Sequence, residues 1–342
     1  VKITYYSKYS ARGPSSRFRI FQFLDRFPAA GIDLQVSVLF DDSYFEILRQ
    51  NQPFRTLQKA AYTFARFRRR IVDLKADHSN LTVIEQQLFP YMPFGLEEKY
   101  LPKRYLVEFD DAIYLTHPKK LPELIRDSVG VIAGNRTLAE YAQEFNPNVH
   151  VVPTVLNTDV FKPCPKTIHE KVVVGWSGIE YNFKYLKTLA PVLERLIRKY
   201  PVELHVLSGT APQDLGIPFH HVKWSGNREV AQMNDFDIGL MPLAMDEWCR
   251  GKCGLKLLQY MALEIPAVAT PIGVNRQIVH HGRNGFLAEQ LEEWETHLSH
   301  LIENANARVQ IGKAARSTVL EYYSADVWFP TVAALYRKYG QE

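Results

Sequence analysis

The chain has 342 residues, 46% of them hydrophobic and 23% charged, with a net charge of +4. That length holds two domains of ordinary size, and the composition excludes a disordered or collagen-like chain. The basic excess is too slight and scattered for a nucleic-acid partner but admits anionic ligands, and three cysteines speak against a disulfide framework and for a reducing compartment.

Short apolar, β-branched runs alternate with helical periodicity, the pattern of parallel sheets covered on both faces. The first half predicts strands at 2–6, 34–40, 81–85, 104–109, 129–133 and 149–153, and helices at 16–28, 55–75 and 136–145. The stretch VVPTVLNTDVFKPCPK (151–166) carries three prolines and little periodicity and reads as a linker. The second half repeats the plan. Its strand runs are KVVVGWSG, VELHVLSG, HHVKWSG, FDIGLMP and PAVATP, and its helices fall at 183–199, 254–263, 291–304 and 307–322. After residue 325, ADVWFPTVAALYRKY reads as a last amphipathic helix. Two doubly wound domains of this kind bind ligands at the carboxyl ends of their strands, facing across a cleft. No apolar run approaches the ~20 residues of a membrane span. The N-terminal VKITYYSKYSARGPSS lacks the charged region and apolar core of a secretory signal, so a cytoplasmic location is expected.

Four stretches carry candidate chemistry. In YYSKYSARGPSSRFR (5–19), Gly13, Ser15 and Ser16 form a donor-rich turn followed by Arg17 and Arg19. It reads either as an anion-binding loop or as an ordinary strand–helix turn with an N-capping serine, and it lacks the three glycines of a dinucleotide fingerprint. In YLVEFDDAIYLTH (105–117), Asp110 and Asp111 end a buried strand, with His117 a few residues on. Adjacent strand residues point to opposite faces, so the two aspartates are not a side-by-side acid pair. In RGKCGLKLLQYMALEIPAVATP (250–271), Arg250, Lys252 and Lys256 crowd a helix that opens at Gly254 and Leu255. A helix N-terminus carries roughly half a positive charge and disfavours cations, unless an anion such as a diphosphate lies there. The alternative is that Asp246 and Glu247 neutralise the cluster in a solvated loop. Cys249 and Cys253, without a second pair, read as free thiols rather than metal ligands. Finally, FRTLQKAAYTFARFRRRIVDLK (54–75), with LFPYMPFG (88–95), is basic and aromatic-rich. It either rests on an anionic membrane or packs its apolar face and solvates its arginines.

The run GKCGLKLLQYMALEIPAVATPIGVNRQIVHHGRNGFL resembles the nucleotide-sugar-binding region of retaining GT-B glycosyltransferases of family 4, glycosyl transferases group 1. The likeness continues through VGWSG, DIGLMPL and RVQIGKAARSTVLEYYS, and in the first half through SVGVIAGNRTLAEYA and VHVVPTVLNTDVFKP. It implies an α/β fold of two Rossmann-like domains, with residues 1–156 and 326–342 on the acceptor side and 157–325 on the donor side. The final helix would cross back to the first domain. It further implies transfer of a sugar, with retained configuration, from a nucleotide-diphosphate sugar to a glycan or lipid-linked acceptor in cell-surface polysaccharide or glycoconjugate synthesis, without a catalytic metal. On that reading Arg250, Lys252, Gly254, Leu255 and Lys256 stabilise the departing diphosphate. Ser177 and Gly178 add backbone donors, Lys223 and Trp224 recognise the base through the backbone, and Gly273, Val274 and Asn275 contact the donor. Asp110, Asp111 and His117 face the acceptor or the transferred sugar.

This chain departs from the family at one point. Two glutamates eight residues apart are the family's pattern around this helix, and Gly251 and Gln259 stand in their places. Gln259 retains hydrogen-bonding capacity toward ribose or sugar hydroxyls, and Asp246 or Glu247 is the candidate to contact the sugar instead. The rival reading is a non-catalytic GT-B-like subunit that holds a nucleotide sugar or a partner transferase.

Overall fold

The computed structural model describes residues 1–49, 54–167 and 169–341. The chain divides into two units, Val1–Thr154 with Trp328–Glu342, and Val155–Val327. Both cuts fall two residues from the limits expected from sequence.

Unit 1 runs β1 (Lys2–Tyr9), α1 (Pro14–Arg19), β2 (Asp33–Phe40), α2 (Asp42–Arg49), α3 (Arg55–Lys75), β3 (Leu81–Glu85), α4 (Phe94–Glu97), β4 (Tyr105–Phe109), α5 (Lys120–Arg126), β5 (Gly130–Ala133), α6 (Arg136–Gln143) and β6 (Val149–Val151). All six strands pair in parallel, in the order β2-β1-β3-β4-β5-β6. Every residue of β3, β4 and β5 is buried, as expected of strands covered on both faces. The continuous helix expected over 16–28 is not formed. Ile20 leaves the helical region at φ −133°, and short 3-10 turns at Phe21–Arg26 and Pro28–Ala30 follow α1.

Unit 2 runs β7 (Val172–Ser177), α7 (Phe183–Lys187), α8 (Ala190–Lys199), β8 (Val202–Ser208), β9 (His220–Lys223), α9 (Glu229–Asn234), β10 (Ile238–Met241), α10 (Glu247–Arg250), α11 (Leu255–Ala262), β11 (Ala267–Ala269), α12 (Asn275–Ile278), β12 (Phe286–Leu287), α13 (Leu291–Glu303) and α14 (Ala305–Tyr322). Its parallel order is β12-β11-β10-β7-β8-β9. Val174, Leu204 and Leu240 of the sheet share a core with Leu193 of α8 and with Trp294 and Leu298 of α13. The helix expected over 183–199 is two helices, because Pro191 fits the first turn of a new helix better than the interior of an old one.

The last helix, α15 (Ala325–Gln341), starts in unit 2 and belongs to unit 1 from Trp328 onward. There Phe329 packs on Phe23 and Phe27, and Tyr336 stacks on Phe27 at a centroid distance of 5.6 Å. No described helix is long and apolar enough to cross a membrane.

Candidate functional site

In unit 2 the winding of the sheet reverses between β7 and β10, and open parallel sheets bind ligands beyond the carboxyl ends of the strands at such a point. The chain leaving β10 passes through α10 into α11. Gly254 is the N-cap of α11 at φ 70°, a left-handed conformation that side chains rarely adopt, and it offers no side chain to cap the first-turn amides. Gly273 is also left-handed, at φ 51°, and a Cβ there would lie 2.4 Å from the Arg250 carbonyl oxygen. A Cβ on Gly254 would meet Ile278 Cδ1 at 2.7 Å and Val274 Cγ2 at 3.1 Å. The two loops therefore touch through their glycines, which brings Arg250, Lys252, Gly254, Leu255, Gly273, Val274 and Asn275 together. Asn275 is buried and ties its own loop by donating its amide to the Thr270 carbonyl at 3.0 Å. Gly273→Ala is expected to cost about 1–3 kcal/mol through a strained backbone; the shift in urea midpoint measures it.

The three cations of this region have different neighbours. Arg250 ends α10 exposed. Lys252 lies over the Trp248 ring at 5.6 Å. Lys256 Nζ is 3.3 Å from Glu229 Oε1, and the same oxygen accepts the Gln259 amide at 3.3 Å. The side chain of Glu229 is 2% exposed. Asp246, expected either to neutralise the cations or to contact the sugar, accepts the Cys249 amide at 2.7 Å and caps α10. The carboxylate that meets Lys256 comes from a different helix.

Two other expectations are corrected. The Ser177 amide is donated to the Tyr260 hydroxyl at 2.8 Å, and the Gly178 amide to the Leu207 carbonyl at 3.1 Å, so neither amide is the open backbone donor expected. Ser177 is itself the last residue of β7, which keeps its amide inside the fold's hydrogen bonding. The Trp224 amide goes to the Ser208 carbonyl, and the Lys223 carbonyl accepts the Gln232 amide at 2.7 Å. Those two backbone groups complete the end of β9 instead of standing ready for a base.

In unit 1 the winding reverses between β1 and β3. The focus here is Glu85, the last residue of β3 and 1% exposed. It accepts the Lys8 amide at 2.8 Å and the Ser16 hydroxyl at 2.7 Å. Of the two readings of this turn, the packed strand–helix turn is the one formed, with Gly13 in place of a serine at the N-cap. Ser16 is buried on Glu85, and Gly13 caps α1 through its backbone, where a Cβ would fall 2.4 Å from that of Tyr9. Ser15 is half-buried in the first turn of α1, and Arg17 lies over the Phe18 ring at 4.5 Å. The next residue, Gln86, holds φ 62°, uncommon for a side-chain-bearing residue, and its Oε1 accepts Lys8 Nζ at 2.9 Å.

Asp110 and Asp111 follow β4 directly and are half-buried. Asp110 acts electrostatically on both Glu85 and Glu108, pushing their carboxyls up. His117 sits between the Gln87 amide nitrogen (3.2 Å from Nε2) and the Thr116 hydroxyl (2.8 Å from Nδ1). Burial lowers its pKa, so the ring is neutral at pH 7. Asp110, Asp111 and His117 thus belong to unit 1, and Lys256 with the Gly254 and Gly273 loops to unit 2.

Burial raises the Glu85 carboxyl to about 7 against its hydrogen bonds from Ser16 and Lys8. An acid with a raised folded-state pKa favours its protonated form on folding. Its contribution is full below the unfolded value near 4.5 and is lost as pH rises to about 7. Between pH 4.5 and 7 the wild type is expected to lose stability relative to Glu85→Gln; chemical unfolding at stepped pH checks this, and parallel curves would contradict it.

Sequence reasoning missed Glu229, Gln232 and Glu85. Glu85 had a visible signal, a lone acid closing the apolar run LTVIE. Glu229 had none, since an acid in the first turn of a short helix reads as ordinary dipole complementation. Of the three cysteines, Cys249 is buried and Cys164 and Cys253 are half-buried. Among the described residues no group of three or more His, Cys, Asp or Glu is arranged to hold a metal ion.

Two six-stranded parallel sheets, each flanked by helices, with a last helix that returns to the first unit, define the GT-B glycosyltransferase fold. Solved structures align over nearly the whole chain. Sucrose-phosphate synthase from Thermosynechococcus elongatus has TM-score 0.72 and 13% identity, over 98% of each chain. HepE from Anabaena, in complex with UDP and glucose, has TM-score 0.72 and 15% identity, over 98% of this chain and 99% of that one. A glycosyltransferase from Rickettsia africae has TM-score 0.70 and 12% identity, over 99% and 98%. No curated protein matches the sequence. Residues 170–304, within the second unit, match the family model of glycosyl transferases group 1.

Proposed function

We propose that this protein is a retaining glycosyltransferase. It moves a sugar from a nucleotide-diphosphate donor to a glycan or lipid-linked acceptor in cell-surface polysaccharide or glycoconjugate synthesis. The observation that carries the reading is the start of α11. A left-handed glycine cap presents uncapped amides there, with Lys256 on the first turn and Lys252 and Arg250 on the loop before it. Helix amides and cations together stabilise a departing diphosphate better than the ground-state sugar ester, which is the requirement for catalysis. Retention by front-face displacement needs no side-chain nucleophile, and none is assigned. Asp110, Asp111 and His117 are proposed for the acceptor or the transferred sugar, with His117 acting as a neutral hydrogen-bonding group. HepE was solved with UDP and with UDP-glucose, so uridine nucleotides are the first donors to try. The test is incubation with a panel of nucleotide sugars and detection of released nucleotide. Release from at least one donor supports the enzyme; binding without turnover across the panel and a broad acceptor set supports the non-catalytic rival.

The acceptor side includes a membrane contact through α3. The helix holds seven basic residues and one acid, Asp73. Its inner face is structural: Arg66 donates to the Leu39 and Val38 carbonyls, and the buried Arg70 to those of Ser7 and Ser37. Its outer face leaves Leu57, Phe64 and Val72 at 69%, 66% and 59% exposure, with Arg68 between them, which suits an anionic interface. Flotation with phosphatidylglycerol vesicles is expected to carry the wild type and to lose Leu57→Ser/Phe64→Ser; a wild type that stays at the bottom removes the contact.

A further inference from the structure

Glu229 is a buried acid with a position but no assigned role. Its Oε1 lies 3.3 Å from both Lys256 Nζ and Gln259 Nε2. Lys256 and Gln259 are three residues apart on α11 and share a face, so one carboxylate reaches both. Only an amide nitrogen can donate to a carboxylate, which fixes how Gln259 is turned: Nε2 toward Glu229, Oε1 away from it. That Oε1 is buried without a hydrogen-bond partner, in a side chain with 0% exposure. A buried, unmatched carbonyl oxygen is costly and calls for a donor that the protein itself does not bring.

We propose that Glu229 is a positioning residue that makes Gln259 a fixed hydrogen-bond acceptor for a ligand hydroxyl. It thereby supplies the function of the acid that positions 251 and 259 lack. The proposal rests on the nucleotide-sugar reading of unit 2. A free glutamine side chain presents either its donor or its acceptor end. Held at Nε2, it presents the acceptor alone, as a carboxylate would, without a second negative charge beside a diphosphate. The matching group on the ligand is a hydroxyl, from the ribose or from the transferred sugar.

Calorimetry on the full chain with UDP, 2′,3′-dideoxy-UDP and UDP-glucose tests this. If the ribose supplies the hydroxyl, the wild type binds UDP at least tenfold tighter than the dideoxy compound. If the sugar supplies it, UDP and dideoxy-UDP bind alike, and UDP-glucose binds at least tenfold tighter than its deoxy analogues. In Glu229→Met the relevant ratio is expected to fall below threefold, while Glu229→Gln, which can still accept from Gln259, keeps most of it. A partial loss of folded protein weakens both ligands equally and leaves the ratio unchanged, so a merely structural role would not move it. If Glu229→Met does not fold, Gln259→Met must show the same loss. A wild-type ratio in Glu229→Met or Gln259→Met overturns the proposal, as does a wild type indifferent to every hydroxyl. Absence of any nucleotide binding by the wild type overturns the donor reading instead. In that case the Gln259 side-chain amide, followed by NMR, still decides the positioning: its resonances are expected to move on Glu229→Met, and unchanged resonances overturn it.

Discussion

Lys256→Met is expected to lower kcat/KM for nucleotide-sugar turnover by about 10²–10³, because one lost donor to a developing anion costs ~2.7–4 kcal/mol. The variant has a second effect that must be separated from the first. Glu229, with its side chain 2% exposed, would lose its cation, and breaking a buried pair from one side is strongly destabilising. Lys256→Met/Glu229→Gln removes both charges together. The single variant is expected to lose both melting temperature and turnover. The double variant is expected to recover the melting temperature to within a few degrees but not the turnover. Recovered turnover in the double variant would mean that Lys256 serves only the fold.

The largest effect on stability is expected in unit 1, at Arg19. Its guanidinium, 3% exposed, meets the Glu108 carboxylate through Nε at 2.7 Å and Nη2 at 2.5 Å, and donates to the Val152 carbonyl at 2.7 Å. The Tyr5 hydroxyl donates to the other Glu108 oxygen at 2.9 Å. One side chain of α1 thereby joins β4 to the segment leaving β6. Burial raises the Glu108 carboxyl and Arg19 opposes that rise, so Arg19→Met leaves an acid that must protonate or stay charged and unpaired. A loss of ~3–5 kcal/mol is expected, about 6–20 °C in melting temperature for a domain of this size. Arg19→Met/Glu108→Gln should recover part of it. Differential scanning calorimetry measures both, and an Arg19→Met melt within 2 °C of wild type would contradict the pairing.

The parallel α/β plan was legible because its signal is local. LTVIE, YLVEF and GVIA are short apolar runs, and each becomes a strand buried along its length. The breaks in helices were less legible, because Ile20 and Pro191 act through a single residue inside an otherwise helical pattern. Gly254 could be read from sequence as a helix start, since a glycine before an apolar periodic run has few other uses. The hydrogen-bond partners could not. Ser177, Gly178, Lys223 and Trp224 sit near strand ends where a ligand could reach them, but one backbone group of each is taken, by Tyr260, Leu207, Gln232 and Ser208 respectively. Those partners lie 9 to 83 residues away along the chain for the two side-chain contacts, a separation no local pattern records. Glu229 is the sharpest case. The acid that meets Lys256 and Gln259 comes from 30 residues before Gln259, on a helix whose own sequence gives no hint of it.

The start of α11 is proposed to hold the donor's diphosphate. A crystal structure of the protein soaked with UDP, or with whichever nucleoside diphosphate binds tightest in calorimetry, tests it most directly. Diphosphate oxygens are expected within hydrogen-bond distance of the Leu255 and Lys256 amides and of Lys256 Nζ. A diphosphate bound away from α11, with Lys256 still turned to Glu229 alone, would contradict it.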